Sequence, residues 1–384
     1  MVLSDEQRDF AEAIRDFAKR ECGTRERRLE LTDGGKDTHS PELHQKMAEL
    51  GWLGVAIPEE YGGSGGSLVD QCVFFEELNR GMLPVSGIGP SSTVAGCYKR
   101  FGSEEQKQSA LGEISEGKVF SISISEPEAG SDVSNVSCKA VSDSNGSYVI
   151  NGQKTWCTAA HVADKLLLLA RTSKEEGDPH GGLTLIEVPA DAEGVEVREI
   201  ETMAGREVND VFLTDVVVPA DAIVGDIGQG FKQIMAGLDG ERLIGAAVGL
   251  GMAERALDDA LTYIKERKQF GKPIGTFQVL RHRIADLATE IECCRLLTYE
   301  VAQRVDEGRG DRSELTRLTS MAKLKSTETA KRAALEGMQM MGGYGYAAEY
   351  EMEHHLRVAL PTTIYAGTNE IQREIIAGSY GLRG

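Results

Sequence analysis

A block of short β-rich runs, from residue 119 to about 218, lies between two long stretches patterned as helix, and this order limits the fold more than any single motif. Within the block, residues 166–170 and 211–218 read as strands, the second stopped by Pro219. Residues 148–150, the pair Asn151-Gly152 and residues 153–158 predict a hairpin, because Asn-Gly suits a two-residue type I′ turn. Ahead of the block, Ser4 with Gln7 makes a capping-box start, and Phe10, Ile14 and Phe17 follow at helical spacing. A glycine-rich turn at 61–66 precedes a second helical stretch at 71–80, and 84–90, bounded by prolines, reads as a break. After the glycines at 225, 228 and 230 the pattern is helical to the end, with long helices expected over 242–265 and 315–341. The expected class is α+β, divided into a helical segment at 1–118, a β segment at 119–228 and a helical segment at 229–384.

A chain of 384 residues exceeds the size at which one core stops growing, so two or three domains are expected. A net charge of −19 argues against binding to nucleic acid or an anionic membrane. No basic stretch followed by an apolar one opens the sequence, and no apolar run reaches the roughly 18 residues of a membrane span. The seven cysteines are odd in number and lack CxxC spacing, which predicts reduced, mostly buried thiols in a cytoplasmic protein. Cys293 and Cys294 are neighbours on a helical pattern and point apart, so no metal site is expected there.

Several glycine patterns do not carry a nucleotide-binding reading. Gly249-Leu-Gly251 falls inside a helical pattern and not at a strand-to-helix turn. Gly225, Gly228 and Gly230 read as a hinge or turn.

Four segments together are more specific: Ser125-Glu-Pro-Glu-Ala-Gly-Ser-Asp132, Lys154-Thr-Trp-Cys-Thr158, Arg267-Lys-Gln-Phe-Gly-Lys-Pro-Ile-Gly-Thr-Phe-Gln278 and Gln339-Met-Met-Gly-Gly-Tyr-Gly-Tyr346. With Ile57-Pro-Glu-Glu-Tyr-Gly-Gly63 and Ile364-Tyr-Ala-Gly-Thr-Asn-Glu-Ile-Gln-Arg373, in this order, they resemble the acyl-CoA dehydrogenase family over essentially the whole chain. The resemblance implies an N-terminal helical domain, a middle β-barrel or sandwich and a C-terminal four-helix bundle. It implies FAD as cofactor, an acyl-CoA substrate, electron-transfer flavoprotein as acceptor and a role in fatty-acid β-oxidation. A homotetramer follows too, with a heterotetramer as the alternative, since the family's flavin site is shared between subunits.

Residue by residue, the resemblance places Ser125 and Thr158 at the flavin's polar edge and Trp156 over its rings. Without the flanking motif Trp156 reads as a core residue. Arg267 matches a cation for the cofactor pyrophosphate, with Gln269, Phe270, Phe277 and Gln278 around it. Gln339, Gly342 and Gly343 match positions that reach the adenosine half from a neighbouring subunit, and Thr368, Asn369 and Glu370 open the last helix. Ser131, Asp239, Arg242, Ala366 and Gly367 match substrate contacts. Residues 91–97 and the helix bearing Glu241 are expected to set the depth of the acyl pocket.

The family's reaction removes an α-proton from an acyl thioester and passes a β-hydride to the flavin. Many members carry the base where Ala366 stands, and a methyl group accepts no proton. Isovaleryl-CoA and long-chain members carry it instead at the position of Glu241, just before the arginine of Leu238-Asp-Gly-Glu-Arg-Leu243. Glu241 is therefore the expected base, its carboxyl raised by burial beside the acyl chain. The bland alternative is a solvated Glu-Arg pair at a helix start. The backbone N–H at 366 remains available to the thioester oxygen whatever the side chain. Glu370 and Glu374 are weaker candidates, and His354 and His355, with no acidic or thiol partner pattern around them, read as surface or packing residues and not as ligands. Two further readings stay open: a base-poor, non-catalytic CoA- and FAD-binding subunit, and an oxidase or reductase relative.

Overall fold

The computed structural model describes residues 3–174, 178 and 180–382. Helices α1 (Asp5–Cys22), α2 (Arg25–Leu31), α3 (Pro41–Glu49), α4 (Leu68–Arg80), α5 (Ile88–Phe101) and α6 (Glu104–Ser115) come first. The β block holds β1 (Phe120–Ser123), β2 (Lys139–Ser142), β3 (Tyr148–Thr158), β4 (Lys165–Arg171), β5 (Leu183–Pro189), β6 (Val195–Glu199), β7 (Val208–Val218) and β8 (Ile223–Val224). The remaining helices are α7 (Gly230–Glu266), α8 (Gln278–Asp306), α9 (Arg312–Met341), α10 (Gly343–Tyr346), α11 (Met352–Ala359) and α12 (Asn369–Ser379). The helix–strand–helix order is as the sequence predicts, and the mixed α+β class holds.

Local chemistry accounts for most helix starts. Capping boxes built on Ser4, Ser67 and Ser103 open α1, α4 and α6, each satisfying two amides that have no partner within the helix. Pro90 does not break the chain as expected. It sits in the first turn of α5, where a residue without an N–H forfeits no helical bond.

The hairpin prediction needs a larger correction. Asn151-Gly152 lies inside β3, an unbroken strand that pairs with β7 through a register shift between Ile150 and Gly152. The reversal is made by the neighbouring Asn145-Gly146, between β2 and β3. There Asp143 accepts from the amides of Asn145 and Ser147, and Gly146 takes φ 85°. Polar neighbours put that pair in solvent. Gly152 is instead required by contact, since a Cβ there would stand 2.8 Å from the Cα of Cys138.

Two compact units emerge from these elements. One comprises residues 1–28, 67–83 and 239–384, and the other residues 29–66 and 84–238. The second unit holds the sheet, ordered β6-β7-β3-β2-β4-β5-β8 with β1 beside β4. Leu166 to Ala170 of β4 are all essentially inaccessible, the continuous apolar run expected of a strand covered on both faces. They pack with Tyr98, Leu111 and Phe120 in one core. In the first unit α9 packs against α8, α11 and α12, and α4 against α1 and α8. Gly249 lets α7 approach α9 closely, because a Cβ there would meet Ser326 backbone at 3.0 Å. Among the described residues no helix is long and apolar enough to cross a membrane, and no cluster of His, Cys, Asp and Glu is placed to hold a metal.

Candidate functional site

In the helical unit the expected substrate and base residues lie on α7 and in the turn before α12, and α9 supplies partners to both. Asp239 accepts from Arg242 at 2.8 Å and from the hydroxyls of Thr316 and Thr319 at 3.0 and 3.2 Å. Arg242 is buried, and its Nε has no partner among the described residues. Glu241 is half-buried in the middle of α7, not at a helix start, and its carboxylate makes no hydrogen bond or ion pair among the described residues. Burial pushes this carboxyl above the ordinary carboxylate range, with Arg242 and Lys323 pulling it partly back.

The turn that supplies Ala366 is held from within. Ala366 and Gly367 are both left-handed, at φ 53° and 80°, which costs an alanine roughly 1–2 kcal/mol. The Gly367 carbonyl accepts from Lys323 Nζ at 2.9 Å and from Gln372 Nε2 at 3.0 Å. Asn369, also buried, accepts from Lys323 Nζ at 3.0 Å and donates to Thr327 at 3.1 Å. Thr368 caps α12 through the amide of Ile371. The amides of Ala366 and Gly367 have no acceptor among the described residues. Glu370 is exposed, and hydrogen bonds from its own amide and from Thr368 hold its carboxyl below the usual range, the opposite of what a base needs.

A second group lies at the other end of α7. Arg267 sits over the Tyr344 ring at 5.2 Å, and with Gln269, Tyr263 and Gly343 it lines a cavity of about 470 Å³. Phe270 is 93 % exposed and stands edge-on to Phe277, which precedes Gln278 at the start of α8. Gln339 and Gly342 are exposed at the end of α9.

The sheet unit holds the remaining residues. Trp156 is 60 % exposed at φ 60°, in the irregular part of β3 between Lys154 and Cys157, so it is not a core tryptophan. Its neighbour Thr155 donates its amide to Ser125 O at 3.0 Å, bringing the two motif segments side by side. Thr158 is half-buried two residues further along, and Ser131 is exposed. Lys154, wholly buried, donates to Glu126 at 2.7 Å and to Ile124 O at 3.1 Å, holding both neighbours of Ser125. An uncovered indole beside two half-buried hydroxyls is the arrangement an isoalloxazine ring needs, one apolar face and a polar edge, so these residues fit the flavin.

Models of the acyl-CoA dehydrogenase N-terminal, middle and C-terminal domains match residues 4–118, 121–216 and 228–381. The chain belongs to the acyl-CoA dehydrogenase family. It is 38 % identical over 381 residues to a protein named probable acyl-CoA dehydrogenase YngJ from Bacillus subtilis, covering 98 % of each chain. It is 35 % identical over 384 residues to the caffeyl-CoA reductase-Etf complex subunit CarC of Acetobacterium woodii, covering 98 % of this chain and 99 % of that subunit. The crystal structure of an acyl-CoA dehydrogenase from Geobacillus kaustophilus superposes with a TM-score of 0.92 at 34 % identity, over 99 % of both chains.

Sequence reasoning passed over Lys154, Glu126, Lys323 and Gln372. A signal existed for Lys323, which falls at helical spacing among the small buried residues Thr319, Ser320, Ser326, Thr327 and Ala330. His355 takes the packing reading of the two offered. It is buried and does have an acidic partner, Asp259 at 2.7 Å, which is remote in sequence. The stretch 91–97 is also divided. Ser91, Val94 and Cys97 are buried in the sheet unit, leaving Ser92, Thr93 and Gly96 on the more open face of α5.

Proposed function

We propose that this FAD-dependent oxidoreductase of the acyl-CoA dehydrogenase family converts an acyl-CoA thioester to its trans-2-enoyl ester, with Glu241 as the α-proton base. The observation that carries the reading is the state of Glu241: an unpartnered carboxylate whose proton affinity is raised by burial. The turn at 366 holds no carboxylate but offers free amides, which suit the oxygen of an enolising thioester. Bound FAD supplies the hydride acceptor. Trp156, Ser125 and Thr158 would hold its ring system, and Arg267, Gln269, Phe270, Phe277, Gln278, Gln339, Gly342, Gly343, Thr368, Asn369 and Glu370 its remaining length. Ser131, Asp239, Arg242, Ala366 and Gly367 would meet the acyl-CoA.

The exposed ring of Phe270 and the exposed Gln339 and Gly342 fit a site completed by another subunit, so a homotetramer is inferred. A relative named as part of an Etf complex supports electron-transfer flavoprotein as the acceptor. Seven free cysteines, six of them buried, accord with a cytoplasmic setting.

The test is Glu241→Gln. The variant should keep its flavin and its fold, while anaerobic bleaching by a panel of acyl-CoA esters slows by about 10²–10⁴-fold. Wild-type bleaching by the variant would remove Glu241 from the reaction.

A further inference from the structure

We infer that Lys323 is a positioning residue, which ties the Ala366–Gly367 turn to the helix bearing Glu241 and sets a fixed positive charge beside that carboxylate. The inference rests on the reading of Glu241 as the base. Three observations carry it.

The first is the pair of contacts made by the ammonium. Lys323 is wholly buried, yet its direct partners are neutral: Gly367 O at 2.9 Å and Asn369 Oδ1 at 3.0 Å. Burying an ammonium against neutral acceptors is unfavourable, so the charge is poorly accounted for by packing alone. Among the buried residues of α9 it is the one ionisable group.

The second is where its stem lies. A Cβ built on Gly245 would stand 3.7 Å from Lys323 Cγ. Gly245 is four residues after Glu241 on α7, hence on the same face one turn along. The lysine therefore spans from the Glu241 face of α7 to the carbonyl of the left-handed turn. Its bond to Gly367 O helps hold the turn, in which the amide of Ala366 has no acceptor among the described residues.

The third is the distribution of charge. Glu241 is faced by Arg242 on its own helix and by Lys323 on α9. Arg242 is already committed to Asp239 at 2.8 Å. Lys323 is faced by Glu241, Arg242 and Glu370, and Glu370 is exposed to solvent. Burial lowers the Lys323 ammonium to about 8, so it is still largely charged at neutral pH, where it favours the ionised, proton-accepting form of Glu241.

The test compares wild type with K323M, K323Q and K323R as FAD-loaded enzymes. Turnover is followed against pH, and amide hydrogen exchange is followed in the peptide covering 364–369. K323M should lower kcat by about tenfold to a hundredfold with little change in KM. Its acidic limb should move to higher pH, because Glu241 loses the cation that favours its ionised form. Exchange in 364–369 should quicken. K323Q keeps an N–H donor without the charge and should restore protection of the turn while leaving the limb displaced, whereas K323R should return the limb toward wild type. Should K323M not fold, K323Q and K323R carry the same two readouts. An acidic limb that stays in place in the uncharged variants overturns the inference and leaves Glu241 as base intact. Undiminished turnover in Glu241→Gln overturns the earlier reading instead.

Discussion

Two wholly buried lysines, one in each compact unit, show how the same side chain serves different ends. In the sheet unit Lys154 is paired with Glu126 at 2.7 Å, and Glu126 also accepts from Ser137 N at 2.7 Å and from Cys138 N at 2.9 Å. Burial alone would push the Glu126 carboxyl up, but Lys154 and those amides outweigh it and hold it below the usual range. In the helical unit Lys323 has no carboxylate in direct contact among the described residues, only a carbonyl and an amide oxygen. Lys154 is thus part of a satisfied network that keeps Ser125 and Trp156 in place. Lys323 retains an uncompensated charge next to the group proposed to titrate. A closed ion pair gives rigidity, and a buried charge left open gives electrostatic influence.

The contrast breaks most sharply at Lys154. Lys154→Met leaves Glu126 buried without its cation and is expected to lower unfolding stability by about 3–5 kcal/mol. Adding Glu126→Gln should recover a large part of this, read by denaturant titration of both variants. Lys323→Met removes bonds to neutral acceptors and a charge that was costly to bury, so its stability loss should be smaller, about 1–3 kcal/mol. An equal loss at both sites would dissolve the distinction.

The pH dependence sharpens it. The Lys323 ammonium lies near 8 in the fold against an ordinary value of 10.5. Between those values the unfolded chain holds a proton that the folded chain has released, so this group's contribution to stability rises with pH across that window. The stability difference between wild type and K323M should therefore grow more favourable to wild type from pH 8 to pH 10.5, by about 1 kcal/mol per unit. A flat difference would mean that Lys323 is not buried as a charge. The smallest effect is expected at the turn itself. Ala366→Gly relieves the left-handed backbone but adds freedom to the unfolded chain, so the net change should stay within about 1 kcal/mol, checked by thermal unfolding.

The motifs that carry the candidate site were legible because they are local. Thr368 followed by Asn369 and Glu370 announced the start of α12, and the cap is there. The exposure of Trp156 was not legible, since a tryptophan amid strand residues reads as core without its motif. Two Asn-Gly pairs six residues apart offered the same turn chemistry, and only the contact of Gly152 with Cys138 shows why one of them stays extended. The partners of His355, Lys154 and Lys323 lie 96, 28 and 46 residues away along the chain, too far for periodicity or capping to reveal.

By itself the sequence determined the helix–strand–helix order, the capped starts of α1 and α12 and the family, because these depend on propensities, turn chemistry and motif spacing within a few residues. Tertiary structure alone decided which charges are buried, which are paired, and which carboxylate is left without a partner. Those properties follow from desolvation and from partners that meet only when distant segments pack. Glu241 could be named from its motif, but its raised proton affinity exists only in the packed helices around it.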